Sequence, residues 1–299
     1  MQRMRAGLVA LMAIAGWVSA PSQADPAPPR EGAFTEPVLV GSPRAASRRL
    51  FIALFDCSWK NARNGPSEPT TMEWIHQQLT QEALPASIAT GYVSTDCARH
   101  NWLTHRDHGE AFAANQLSAM YKLLAKQSEA WRREDPRAEI SLLTVGSSWG
   151  ALQGAEFSMM VAEAGLRSPA GEILAAPRKT AQALALLAPT GYLPPELRLP
   201  SSLISGFQLN ALDEERPDFQ SLPILGKGFS SDGRFASLDV PGSLSDVCGG
   251  YRLNGLSARA ANLLVDYING LSAVPFLHKQ PEPDDPRMNV VHRSQEECR

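Results

Sequence analysis

Past its first few residues the chain has no apolar run approaching the roughly 20 residues needed to span a bilayer, so no transmembrane segment is expected in the mature chain. An excess of charge of either sign is also missing. With 28 Lys and Arg against 31 Asp and Glu, the formal charge is −3, and no basic patch is available to hold nucleic acid. Cysteine is scarce, at four residues among 299: Cys57, Cys97, Cys248 and Cys298. None forms a CxxC pair and no His lies close enough to a Cys to suggest a zinc cluster, which also argues against a dithiol redox motif and leaves no metal or other cofactor expected. There is no internal repeat of fixed period, so a solenoid or propeller is excluded.

What is present suits one large globular domain: 43% hydrophobic and 20% charged residues, in a chain long enough to bury roughly 75% of its unfolded surface without help from metals or disulfides. Arg3 and Arg5 precede an apolar stretch from Ala6 to Trp17, and small residues follow to Ser22-Gln23-Ala24. This pattern predicts a signal peptide over 1–24 and export to the periplasm or medium. In that oxidising compartment the cysteines can pair, with three connectivities open. Residues 25–48, rich in Pro, Ala, Ser and Gly, read as a flexible linker; 49–280 as the folded domain; and 281–299 as a polar C-terminal tail.

Within the domain, apolar runs of strand length alternate with helical patterns. Leu50–Phe55, Ile88–Val93 and Ile140–Val145 read as strands buried on both faces, and Phe207–Leu212 and Phe235–Val240 as later strands. Helices are predicted over Thr70–Leu79, Gly109–Glu134, Gly150–Ala164 and Gly255–Leu271, with a short helix and Pro-rich turns between Gly165 and Pro200. The alternation gives an α/β class with a mainly parallel sheet flanked by helices.

Gly146-Ser147-Ser148-Trp149-Gly150 falls directly after a predicted buried strand and directly before a predicted helix. That is the context of a nucleophile elbow, in which flanking glycines let strand and helix approach closely while the serine hydroxyl is presented at the carboxyl edge of the sheet. The helix start at Trp149 offers its positive end to a developing oxyanion. The ordinary alternative is a Gly/Ser turn.

Four blocks, in order, resemble the catalytic domain of type VI secretion phospholipase effectors and their relatives, an α/β-hydrolase family. They are Phe55-Asp56-Cys57-Ser58-Trp59-Lys60-Asn61, Val145 to Gly150, Ala211-Leu212-Asp213-Glu214-Glu215-Arg216, and Pro241 to Tyr251 with Asp246-Val247-Cys248-Gly249-Gly250-Tyr251 at its end. The resemblance implies an α/β-hydrolase-like fold and a serine hydrolase acting on carboxylic esters, phospholipid acyl esters above all. It also implies a Ser148 nucleophile, with a pocket and oxyanion site near Trp149, Asp56, Cys57, Ser58, Leu244 and Asp246.

This chain departs from the family pattern at four places. Leu244 stands where the last block has His, and Trp149 where the elbow has Arg. Cys57 and Cys248 both replace glycines, which suggests a Cys57–Cys248 disulfide across the site mouth, two buried thiols being the alternative. A replacement base is then needed. His292 has the late position that Ser/Asp/His chain order wants, and otherwise reads as a solvated tail residue; His278 is the other late candidate. His76, His100, His105 and His108 precede the nucleophile and fit that order worse. Asp213 is the candidate acid, with Asp246 and Asp56 as alternatives that order loops. The competing function is a catalytically impaired pseudo-hydrolase that binds a lipid, a peptide or another protein of the cell envelope.

Overall fold

The computed structural model describes residues 37–42, 46–58, 68–81, 84–96 and 106–293, without the side chains at 58, 96 and 106–112. The expected signal peptide, most of the linker, His100, His105 and the side chains of His108 and Ser58 therefore lie outside the described residues. All the described residues belong to one compact unit.

In chain order the elements are β1 (Arg48–Ser58), α1 (Thr71–Gln81), β2 (Ile88–Asp96), α2 (Arg106–Glu134), β3 (Glu139–Ser147), α3 (Trp149–Ala164), β4 (Leu166–Arg167), β5 (Ile173–Ala175), β6 (Ala181–Leu187), β7 (Leu203–Ala211), β8 (Gly228–Phe229), β9 (Phe235–Val240), α4 (Leu244–Cys248) and α5 (Gly255–Gly270). Seven strands form one sheet in the order β2-β1-β3-β6-β7-β9-β8. Every neighbouring pair is parallel except β8 with β9. The expected α/β class with a mainly parallel sheet is the observed one.

Side chains alternate across a strand, and β1 shows what that does here. Leu50, Ile52 and Leu54 join α1 (Met72, Ile75, Leu79) and α5 (Leu264, Val265, Ile268) on one face. Phe51, Ala53 and Phe55 join α2 (Met120, Leu124, Trp131) and α3 (Phe157, Val161) on the other. Helices thus cover both faces, as a central parallel sheet requires. Because the strands are parallel, their carboxyl ends at Ser58, Ser147, Leu187, Ala211 and Val240 line one edge, where ligands of open α/β sheets bind.

Two expectations are corrected, and the polar tail gains contacts that its composition does not announce. Ala181–Leu187, expected within a stretch of short helix and turns, is a central strand between β3 and β7. The linker ends before residue 48: Leu39 and Val40 are buried in the core, the Leu39 N–H donates to Leu271 O at 2.7 Å, and Val40 bridges Ser272. The tail is no free appendage either. Its segment around the 3-10 turn Pro286–Met288 packs against α5, and His292 returns to α4.

Candidate active site

Ser148 joins β3 to α3 with φ 55° and ψ −128°, a backbone conformation that non-glycine residues avoid. The two glycines around it explain how the turn closes. A Cβ at Gly146 would come within 2.5 Å of the Gly150 carbonyl oxygen, and one at Gly150 within 2.5 Å of the Phe55 carbonyl oxygen on β1. The Ser148 N–H donates to Leu187 O at 2.8 Å, fastening the elbow to β6. Ser148 itself is 1% exposed. Its hydroxyl is 3.1 Å from Thr190 Oγ1, and among the described residues no histidine nitrogen hydrogen-bonds it.

Beneath the elbow, on the α1/α5 face, lies Asp56, 1% exposed. Ser147 Oγ donates to its Oδ1 at 3.0 Å, while Thr70 Oγ1 and Tyr92 O–H donate to its Oδ2 at 2.9 and 3.0 Å. Burial raises the Asp56 carboxyl above the ordinary carboxylate range, and the three hydroxyl donors only partly offset it. Tyr92 is in turn pushed up by burial first and by the charge of Asp56 second. His76 stacks on Tyr92 at 4.3 Å between centroids and is lowered by burial, so it belongs to this cluster rather than to the nucleophile. His278 is further removed: its N–H donates to Gln78 Oε1 on α1.

The His that the structure does build into the carboxyl edge is His292. Its Nδ1 lies 2.5 Å from Asp246 Oδ1 and its backbone N–H donates to Asp246 Oδ2 at 2.9 Å. Tyr251 stacks on the ring at 3.9 Å between centroids. Asp246 is 2% exposed, and its Oδ2 also accepts from Ser243 N and Ser243 Oγ, the capping box of α4. Four contacts hold the carboxylate still, and the carboxylate engages Nδ1, which leaves Nε2 as the ring nitrogen not bound to it. The same short helix reaches the elbow. Cys248, two residues after Asp246, donates its thiol to Leu187 O at 3.5 Å, the oxygen that accepts from Ser148 N–H.

Asp213 does not meet His292. It is exposed, and its Oδ2 accepts from Gly242 N at 2.7 Å, fastening the turn after β9. Glu214, by contrast, is buried; its carboxylate takes Arg216 in two bonds and the Leu244 N–H at 3.1 Å. Burial opposes its ionisation, but Arg216 and the N–H donors outweigh burial and lower the group below its usual value. Leu244 is 2% exposed and faces the apolar core shared with α5.

The expected Cys57–Cys248 bridge is absent. Cys248 is a free, buried thiol whose ionisation is pushed up by burial, whereas Cys57 is disulfide-bonded elsewhere. The sheet separates the two: Cys57 continues the Phe51, Ala53, Phe55 side of β1 and packs with Trp149 and Leu152, while Cys248 joins the core of the opposite face. Trp149, at 9% exposure, is a wedge in that cluster, backed by Leu197, Leu222 and Ile224. Thr190 and Tyr251 are the contacts that sequence reasoning missed as site residues; Tyr251 ends a quoted block, but nothing near Thr190 marks it. Further along the edge, a cleft of about 300 Å³ between Asn210, Glu214, Lys227 and Asp239 lies apart from Ser148.

No protein-family model matches the chain, and no curated protein sequence does. Among solved structures it is similar to an uncharacterized protein from Pseudomonas aeruginosa (TM-score 0.47, 14% identity, 89% of this chain and 53% of that one). It is also similar to the Tle1 effector bound to the VgrG spike of the type VI secretion system (TM-score 0.45, 17% identity, 73% and 52%). A third likeness is to the apo form of Thermogutta terrifontis esterase 2 (TM-score 0.38, 13% identity, 82% and 90%). The chain thus spans about half the length of the first two.

Proposed function

We propose that the protein is an exported serine hydrolase of carboxylic esters, with Ser148 as nucleophile, His292 as base and Asp246 as the carboxylate that orients the base. The observation that carries the reading is the strained, glycine-flanked conformation of Ser148 at the junction of a buried strand and a helix. Ser148 Oγ attacks the ester carbonyl carbon and gives its proton to His292 Nε2. The tetrahedral oxyanion is stabilised at the positive end of α3, beginning with Trp149. The imidazolium then returns the proton to the leaving alcohol, and water repeats the sequence on the acyl-enzyme. In a substrate-free structure the serine–base contact is commonly long, and it closes when substrate binds.

Lipid esters are the substrate class that suits the rim of this edge. Tyr192 and Leu193 after β6, Leu212 after β7, and Leu253, Val290 and Val291 around His292 expose large apolar side chains where acyl chains would lie. Export, which the N-terminal pattern supports, would bring the chain together with such lipids in the cell envelope. A second reading, a pseudo-hydrolase that binds an envelope lipid or protein without turnover, is favoured by one observation: the Ser148 hydroxyl is paired with Thr190 instead of a histidine. Labelling of the purified protein with a fluorophosphonate, with Ser148→Ala as control, separates them. Ser148-dependent labelling together with turnover of short- and long-chain esters is expected; the absence of both leaves the binding role.

A further inference from the structure

The contact between Thr190 and Ser148 has a use in the hydrolase reading as well, and both residues are held firmly in place for it. Thr190 is fully buried and holds Ser148 at two points: its N–H donates to Ser148 O at 3.2 Å and its Oγ1 lies 3.1 Å from Ser148 Oγ. The two hydroxyls have no other hydrogen-bond partner among the described residues.

The segment bearing Thr190 is fixed from both sides. The Ala188 N–H donates to Leu209 O on β7 at 2.7 Å, and the Leu222 N–H donates to Pro189 O at 2.7 Å. Ala188 has φ 39°, an unfavourable value for a residue with a Cβ. Gly191 has φ 127°, and a Cβ there would press on Leu152 and Trp149 at 3.1 and 3.2 Å, so the turn lies directly on the first turn of α3. A buried threonine can ordinarily satisfy its hydroxyl on a nearby carbonyl. Here a stiff, strained Ala188-Pro189-Thr190-Gly191 turn instead brings the hydroxyl onto the side chain of the elbow serine, and such strain concentrates at functional sites.

We infer that Thr190 is a positioning residue for the nucleophile: by donating its hydroxyl hydrogen to Ser148 Oγ, it fixes the rotation of the serine side chain. One lone pair of Ser148 Oγ is then engaged by Thr190, a second is free to face the carbonyl carbon, and the serine's own proton points away from Thr190, available to the base. Thr190 keeps its proton throughout, so the proton balance of the reaction is unchanged. This role rests on the hydrolase reading, because only a nucleophile gains from a fixed hydroxyl direction.

The experiment compares wild type, Thr190→Val, Thr190→Ala and Thr190→Ser for fluorophosphonate labelling rate, for kcat and KM on a soluble short-chain ester, and for melting temperature. The second hydroxyl-free variant covers the case in which Thr190→Val folds poorly. Loss of the hydroxyl is expected to lower kcat and the labelling rate by about 10- to 100-fold with KM little changed. Thr190→Ser should restore most of the rate, and melting temperatures should not track the losses. If the wild type is labelled at Ser148 but the hydroxyl-free variants react as fast or faster, the positioning role is overturned and the hydrolase reading stands. If the wild type is never labelled at Ser148, the hydrolase reading fails and the positioning role fails with it.

Discussion

At the scale of single residues, the most unusual group is Asp56, a buried carboxylate with three hydroxyl donors around it and, among the described residues, no basic side chain bonded to it. Its carboxyl is raised in the folded state, so the stability it contributes is fully present below the unfolded carboxylate value and is lost as pH rises through the folded one. Asp56→Asn removes the titration while its amide can still bond the hydroxyls. The variant is therefore expected to gain stability relative to wild type as pH is raised from about 4 to neutrality; a stability difference from urea unfolding that stays flat or falls across that range would show that the carboxyl is not raised. Cysteine reactivity tests the site differently. With Cys248 free and buried and Cys57 bonded, iodoacetamide should modify Cys248 only after unfolding and Cys57 only after reduction; recovery of a Cys57–Cys248 peptide would contradict the structure. The strained serine proposed as nucleophile was legible in the sequence because a glycine-flanked serine between strand and helix marks a tight turn there. The acid was not: Asp213 and Asp246 both follow apolar strands, and only folding reveals that one fastens a turn while the other meets a residue 46 positions on.

At the scale of elements, strands with β-branched or aromatic residues could be read directly, and β6 could not. Its residues, Ala-Gln-Ala-Leu-Ala-Leu-Leu, are helix formers by intrinsic preference, yet the segment is buried between β3 and β7, where small side chains let helices pack close on both faces. Tertiary burial overrides local preference there. The short helix α4 offers the complementary lesson. The family resemblance puts a histidine at position 244, and its absence reads as loss of the base; in the fold, Leu244 packs into the core with Val247, Leu264 and Val265, and it is His292 of the tail that meets Asp246. Leu244→His should accordingly fail to raise ester turnover and should destabilise the protein by about 2–3 kcal/mol, the cost of placing a polar ring in an apolar site. Higher activity together with an unchanged denaturation midpoint would mean that the position faces the active site after all.

At the scale of the whole molecule, the candidate site is assembled from the middle and the end of the domain's chain order. Ser148 comes from the end of β3, Asp246 from a helix that follows β9, and His292 from a segment that runs back over the start of α5, where Met288 and Asn289 press so closely on Gly255 that no side chain would fit. A tail that is polar in sequence looks dispensable, because its bonds are made to distant residues and leave no periodic trace. Its contribution to the core is small: among the described residues the last buried hydrophobic one is Leu277. Folding and activity should therefore separate. Truncation after Pro283 is expected to leave cooperative unfolding with a melting temperature within a few degrees of the full chain. It should also lower Ser148-dependent ester turnover by about 10³- to 10⁴-fold, as far as His292→Ala or Asp246→Asn does, while Asp213→Asn costs only a few-fold. If the truncated protein hydrolyses esters at the full rate, the base lies elsewhere; if Asp213→Asn proves as damaging as Asp246→Asn at equal stability, the acid has been assigned to the wrong carboxylate.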